Sequence, residues 1–217
     1  MIILFSHQKG GVGKSTIAVN IAYQLAKKYK NIAMLDLDSQ NSTILFNKIR
    51  ENNNLDIIKT FKEASVNFTD IVNHYRSIKD NLLIVDSGGY DSDINRAILI
   101  KADMIITPVG ISQIEIFGLQ NFIKILEKAS KATGKIIKTN VLLNNIDSRS
   151  KTKLLELQEY IKSKDGYLNL LNTVLFSRAD YKNSYAEGLT VKEYNKKGVA
   201  QKEIKELRKE IYKCINN

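Results

Sequence analysis

Apolar residues along the chain fall in short continuous runs separated by stretches with helical spacing. Ile2 to Ser6 reads as a short buried strand, and Ser15 to Tyr29 then sets Ile17, Ile21, Ala22 and Leu25 on one face, which predicts an amphipathic helix. Ile32 to Leu37 predicts the next strand, and Ser39 to Asn53 a helix stopped by the run Asn52, Asn53, Asn54. Leu55 to Thr60 reads as a short strand and Thr69 to Ile78 as a helix with Asp70 near its start. Leu82 to Val85 is an apolar strand that ends in Asp86. Met104 to Val109 and Ile136 to Leu143 are further runs of strand type. They flank a helix from about Gln113 to Lys131 that Gly134 ends. Helices over 150–164 and 199–215, with a weaker strand at Thr173 to Phe176, complete the pattern.

Strands that alternate with helices imply an α/β fold. Its sheet is mostly parallel, covered by helices on both faces, and binds ligands beyond the carboxyl ends of its strands. The 217 residues contain one proline, Pro108, with no repeat and no low-complexity linker, so residues 1–217 read as one domain. With a strand that begins at residue 2, no N-terminal DNA-reading domain is expected. The lone cysteine, Cys214, excludes an intrachain disulfide and a cysteine metal cluster, which suits a reducing cytoplasm. No run approaches the ~18 apolar residues of a membrane span, and Met1 to Phe5 is too short for a signal-peptide core. The expectation is a soluble cytoplasmic protein.

Composition changes the picture at one point. The formal charge is +10, a surplus that favours polyanionic partners or merely solubilises. Residues 1–134 hold 16 basic and 13 acidic side chains, whereas 135–217 hold 17 and 10, so the surplus gathers toward the C-terminus.

The chemistry is concentrated where strand gives way to helix. Lys9-Gly10-Gly11-Val12-Gly13-Lys14-Ser15-Thr16 lies between the first strand and the first helix. Its glycines let backbone N–H groups curl around phosphates, and the positive end of the helix faces the anion. Lys14 would reach the β- and γ-phosphates and the Ser15 hydroxyl would bind Mg²⁺, so the fold class sharpens to a P-loop NTPase. The usual pattern wants glycine where Gln8 stands. The second strand ends in Leu35-Asp36-Leu37-Asp38-Ser39-Gln40, where a carboxylate can hold a metal-bound water, orient the attacking one, or simply cap a helix. The run Leu82 to Val85 delivers Asp86 to the same edge as a metal-shell residue, and Gly88 and Gly89 allow the next loop to approach the γ-phosphate. Asn144 and Asn145 end a later strand, where an amide can meet a purine edge or serve an ordinary turn. His7 and His74 read as structural, since neither has a partner suited to metal or acid-base work.

Lys9 beside Gly10-Gly11 resembles the deviant Walker A loop of the ParA, MinD and nitrogenase iron-protein superfamily. The resemblance implies that Lys9 contacts ATP across a dimer and acts with Lys14 and Asp38 in catalysis. Asp36 to Gln40 resembles that superfamily's Asp-x-Asp-Pro-Gln motif, with Ser39 in place of proline. By that resemblance Asp38 positions the hydrolytic water, while Asp36 supports the loop or the metal shell. Asn144 would join Lys9 to Thr16 in nucleotide binding. Thr107-Pro108-Val109 is similar to the family's Ile-Pro-Val segment. The single distal cysteine excludes the iron-protein branch.

The ParA family is the nearest resemblance, and it implies ATP and Mg²⁺ as cofactors and an ATP-dependent homodimer. It further implies non-specific DNA and a small centromere-binding protein as partners, with the chain held on the nucleoid. Arg149, Lys151, Arg178 and Lys182 are the candidate DNA contacts. Two alternatives stay open. A MinD-like protein would use the last helix, with Ile204, Leu207, Ile211 and Ile215 on one face, to reach a membrane. A small-molecule enzyme of the dethiobiotin-synthetase type would need a substrate pocket.

Overall fold

Ile3 and Phe5 of β1 (Ile2–Phe5) face one side of the sheet and Ile2 and Leu4 the other, and all four are fully buried. A strand covered on both faces needs apolar residues at every position, which is why it reads as an unbroken run. The computed structural model describes residues 1–62, 67–90 and 92–216. The other strands are β2 (Asn31–Leu37), β3 (Thr60–Lys62), β4 (Asn81–Ser87), β5 (Met104–Val109), β6 (Thr139–Ile146) and β7 (Leu168–Phe176). All pair in parallel, in the order β3-β2-β4-β1-β5-β6-β7.

One face carries α1 (Lys14–Leu25), α2 (Ser42–Asn52), α8 (Val191–Tyr194) and α9 (Val199–Asn216). Their Ile17, Phe46, Val191, Ile204, Leu207 and Ile211 pack on Ile3, Phe5, Met34 and Ile84. The other face carries α3 (Phe68–Ser77), α4 (Asp93–Lys101), α5 (Gln113–Thr133) and α6 (Lys151–Lys162). Between β7 and α8 lies α7 (Ala179–Ala186). Two glutamates of α9 fasten that helix to the edge strand. Glu210 accepts from the backbone N–H groups of Asn172 and Thr173, and Glu203 accepts from the Phe176 N–H at the strand's end and from Arg178 and Tyr181 beyond it.

Three expectations shift. The strand expected at Leu55 to Thr60 forms only at Thr60–Lys62. The residues before it are claimed by side chains instead: Arg50 Nε donates to the Asp56 carbonyl, Asn47 to that of Ile58, and the Ile58 N–H donates to Tyr23 Oη. β6 begins at Thr139 because Ile136 is 71% exposed and the Ile137 N–H donates to Ser130 Oγ. Helix α4, capped by Ser92 through the Asn95 N–H, had no counterpart in the periodicity reading.

Candidate nucleotide site

The turn from β1 into α1 takes its shape from Gly11 and Gly13, at φ 78° and 91° in the left-handed region. Gly13 is also pressed from the side: a Cβ there would stand 2.5 Å from Asn144 Nδ2. That amide donates to the Val12 carbonyl at 2.7 Å, so the end of β6 clasps the loop. The first N–H groups of α1 have no intrahelical partner and point into the turn, an arrangement that attracts anions.

The loop's two lysines are disposed differently. Lys14 is buried, its Nζ donating to the Lys9 carbonyl at 3.3 Å. Burial pushes its pKa down, opposed by Asp86 and then Asp38. Lys9 is partly exposed, and its Nζ reaches the Gly10 carbonyl at 3.3 Å.

Parallel register sets the carboxylates side by side, Asp36 of β2 opposite Asp86 of β4. Their surroundings separate their roles. Asp36 is saturated: Oδ2 accepts from the Thr43 N–H, the Thr43 hydroxyl and the Ile44 N–H, and Oδ1 from the Asp38 N–H. It therefore anchors the start of α2 and the loop before it. Asp86 is fully buried, and neither oxygen has a hydrogen-bond partner of sound geometry. Burial raises its pKa to about 7, while the nearby Ser15 hydroxyl and Lys14 act to lower it. A buried carboxylate without donors, next to a hydroxyl at a phosphate loop, fits a divalent cation. Asp38 stands at the mouth, its Oδ1 accepting from the Gln40 N–H at 3.0 Å.

Two further contacts bear on the loop. Gly89 lies directly on the loop, where a Cβ would come 2.8 Å from Gly10 N. His7 is fully buried, accepts the Lys9 N–H at Nδ1 (2.9 Å), and packs on Gly118 of α5. Nothing in the sequence around residue 7 announces this, because the covering group comes from α5.

Beside the loop is a cavity of about 400 Å³ lined by Gly13, Thr16, Asn144, Asn145, Tyr181 and Tyr185, among others. Arg178 and Lys182 also line it. Arg178 is paired with Glu203 at 2.7 Å, so it stands in a wall of the cavity and not on a free basic face. Arg149 is exposed and paired with Asp147 at 2.7 Å, and Lys151 opens α6 nearby. Tyr181 and Tyr185 belong to none of the nucleotide motifs of the sequence and stand in this wall. Among the described residues no helix is long and apolar enough to cross a membrane.

A glycine loop at the end of the central strand, a buried lysine inside it and carboxylates from the neighbouring strands define a P-loop nucleotide-binding protein. Residues 3–191 match the family described as the CobQ/CobB/MinD/ParA nucleotide binding domain, and the chain belongs to that family. It is 26% identical over 212 residues to the maintenance of carboxysome distribution protein A of Halothiobacillus neapolitanus, covering 94% of this chain and 92% of that one. Among solved structures, a Cyanothece McdA variant in complex with ATP superposes with a TM-score of 0.74 at 13% identity, covering 97% of this chain and 95% of that one. A ParA family ATPase from Chlorobium tepidum superposes with a TM-score of 0.67 at 17% identity, covering 95% and 98%.

Proposed function

We propose that this chain is a ParA-like ATPase that dimerises with ATP, holds DNA without sequence preference and partitions a plasmid or chromosome with a small centromere-binding partner. The observation that carries the reading is the division of labour between the two loop lysines: Lys14 enclosed against the phosphate site, Lys9 at its open edge. One serves the nucleotide of its own subunit. The other would reach a nucleotide held by a second copy.

ATP phosphates would rest on the N–H groups of Gly11 to Thr16, with Lys14 on the β- and γ-phosphates and the Asn144 clasp holding the loop's shape. Ser15 and Asp86 would hold Mg²⁺, which supplies charge neutralisation at the phosphates when bound. The Gln40 N–H fixes the direction of the Asp38 carboxylate, which would orient the water that attacks the γ-phosphorus as the bond to ADP breaks. Ile114 and Phe117, 66% and 52% exposed on the first turns of α5 near Lys9, support a second copy at this edge.

DNA as the partner is supported by α9. Its apolar face is used on the sheet, which leaves no free stripe for a membrane. Glu203 and Glu210 turn inward to β7, so the outward side presents Lys202, Lys205, Lys209 and Lys213 against Glu206. The test is ATP turnover and mixed-sequence DNA binding, each measured with and without Mg²⁺ and ATP. Turnover without Mg²⁺, or DNA binding indifferent to ATP, would count against the reading.

A further inference from the structure

His7 is a buried polar group in contact with the phosphate loop that the proposed mechanism leaves idle. Its ring is fully buried between Lys9 and α5. Nδ1 accepts the Lys9 N–H at 2.9 Å, so Nδ1 carries no proton. Burial, then the charge of Lys14, hold the pKa at about 4, which keeps the imidazole neutral and its one proton on Nε2. Nε2 is buried with no hydrogen-bond partner of sound geometry, although the Glu115 backbone of α5 lies near enough to favour the protonated ring. The ring edge at Cε1, beside Nδ1, is pressed on Gly118, where a Cβ would come 2.5 Å from His7 Cε1 and 3.4 Å from Lys9 Cβ.

We propose that His7 is a positioning residue for Lys9: its ring grips the Lys9 backbone with Nδ1, aims an unused Nε2–H at the first turn of α5, and so makes the reach of Lys9 depend on where α5 sits. This rests on the reading of Lys9 as the lysine that serves a second copy's nucleotide. The geometry supplies the coupling. The first turns of α5 carry the exposed Ile114 and Phe117 on one side and Gly118 against His7 on the other. A second copy pressing on α5 would move the element that His7 leans on, and closing the Nε2–H bond to Glu115 would fix the backbone from which Lys9 reaches out. Lys14 reaches the phosphates from α1 and meets this contact only through its 3.3 Å bond to the Lys9 carbonyl, so the monomer's hold on ATP is expected to change little.

The experiment compares His7→Leu, which keeps bulk but no nitrogen, with His7→Asn, whose Oδ1 replaces the Nδ1 acceptor, and with Gly118→Ala, which pushes on the ring. Lys9→Ala is the reference. Monomer affinity for Mg-ATP is read by calorimetry and ATP-dependent dimerisation by sedimentation. His7→Leu and Gly118→Ala are expected to bind ATP within about twofold of the native chain and dimerise about tenfold more weakly, the scale of one hydrogen bond. His7→Asn, which keeps an acceptor in place of Nδ1 but has nothing in place of the Nε2–H, recovers part of the dimer. Native dimerisation in His7→Leu, equal loss in His7→Asn, or loss of monomer ATP affinity in step with the dimer would each overturn the proposal. If Lys9→Ala itself dimerises normally, the reading of Lys9 fails and takes this role of His7 with it. A defect in Lys9→Ala without one in His7→Leu removes His7 alone.

Discussion

The side-chain amide of Asn144 donates to the Val12 carbonyl at 2.7 Å and fills the space that a Cβ on Gly13 would need. A residue at the end of β6 thereby sets the curvature of a loop that is distant from it in sequence. Asn144→Ala should loosen that loop by the value of one hydrogen bond, about 1 kcal/mol, and weaken Mg-ATP binding about fivefold. Calorimetry on the purified monomer gives the answer, and unchanged affinity would separate the clasp from binding.

Lys14→Ala removes the enclosed charge while the turn glycines remain. A charge-assisted contact to phosphate is worth about 1.5–3 kcal/mol, so ATP affinity should drop by about ten- to a hundredfold, with ADP affected less because the γ-phosphate is absent. Equal losses for both nucleotides would place the lysine elsewhere.

Asp38→Ala should leave ATP binding and dimerisation in place and slow hydrolysis by about 10²–10⁴, the usual contribution of a positioned acid-base group. The carboxylate's bond to the Gln40 N–H is exposed, so little stability is lost with it. Single-turnover kinetics at saturating ATP distinguish this from a binding defect.

The parts of this site that were legible in the sequence are those built from consecutive residues. Lys9 to Thr16 declares itself because phosphate binding by backbone needs glycine at fixed spacing, and Asp86 because an apolar strand ends in it. The parts that were not legible depend on chain segments brought together by folding. Arg178 reads as a surface cation in the sequence, but Glu203 on the distant α9 pairs with it. His7 looked inert because Gly118, which covers it, lies on α5. The strand before Thr60 failed for a related reason: Asn47, Arg50 and Tyr23 capture backbone groups that an apolar run would otherwise give to a ladder.

Glu193→Ala tests how the C-terminal segment is held. Glu193 forms a capping box with Thr190 and a two-pronged pair with Arg50, whose side chain is 1% exposed and stacks on Tyr23. Burial raises the Glu193 pKa, but Arg50 and the Thr190 groups outweigh it and leave it below the ordinary value. That contribution is therefore present above the unfolded pKa and lost as the pH falls through the lower folded one. Because Glu193 is itself 37% exposed, its removal should cost about 2–3 kcal/mol, less than for a fully enclosed pair. Urea unfolding at neutral pH should show the loss, and the difference from the native chain should shrink in acid.

DNA binding should be independent of sequence, dependent on ATP and steeply weakened by salt, because lysines on a helix face neutralise phosphates and do not read bases. The structure shifts emphasis among the candidate contacts. Arg149 and Arg178 are paired with acids, whereas Lys202, Lys205 and Lys213 stand on the exposed side of α9. Each phosphate neutralised adds roughly −0.9 to the log–log salt slope on duplex DNA, so replacing those three lysines by alanine should flatten the slope by about 2–3 per subunit and weaken all sequences alike. Arg178→Ala should instead act mainly on the nucleotide cavity and on the Glu203 anchor, and change the slope little. Filter binding across a salt series, with anionic vesicles as the control, decides between surfaces. If the ATP-bound protein ignores mixed-sequence DNA at low salt and binds the vesicles through α9, the lysine face serves a membrane, and the partition reading gives way to a MinD-like one.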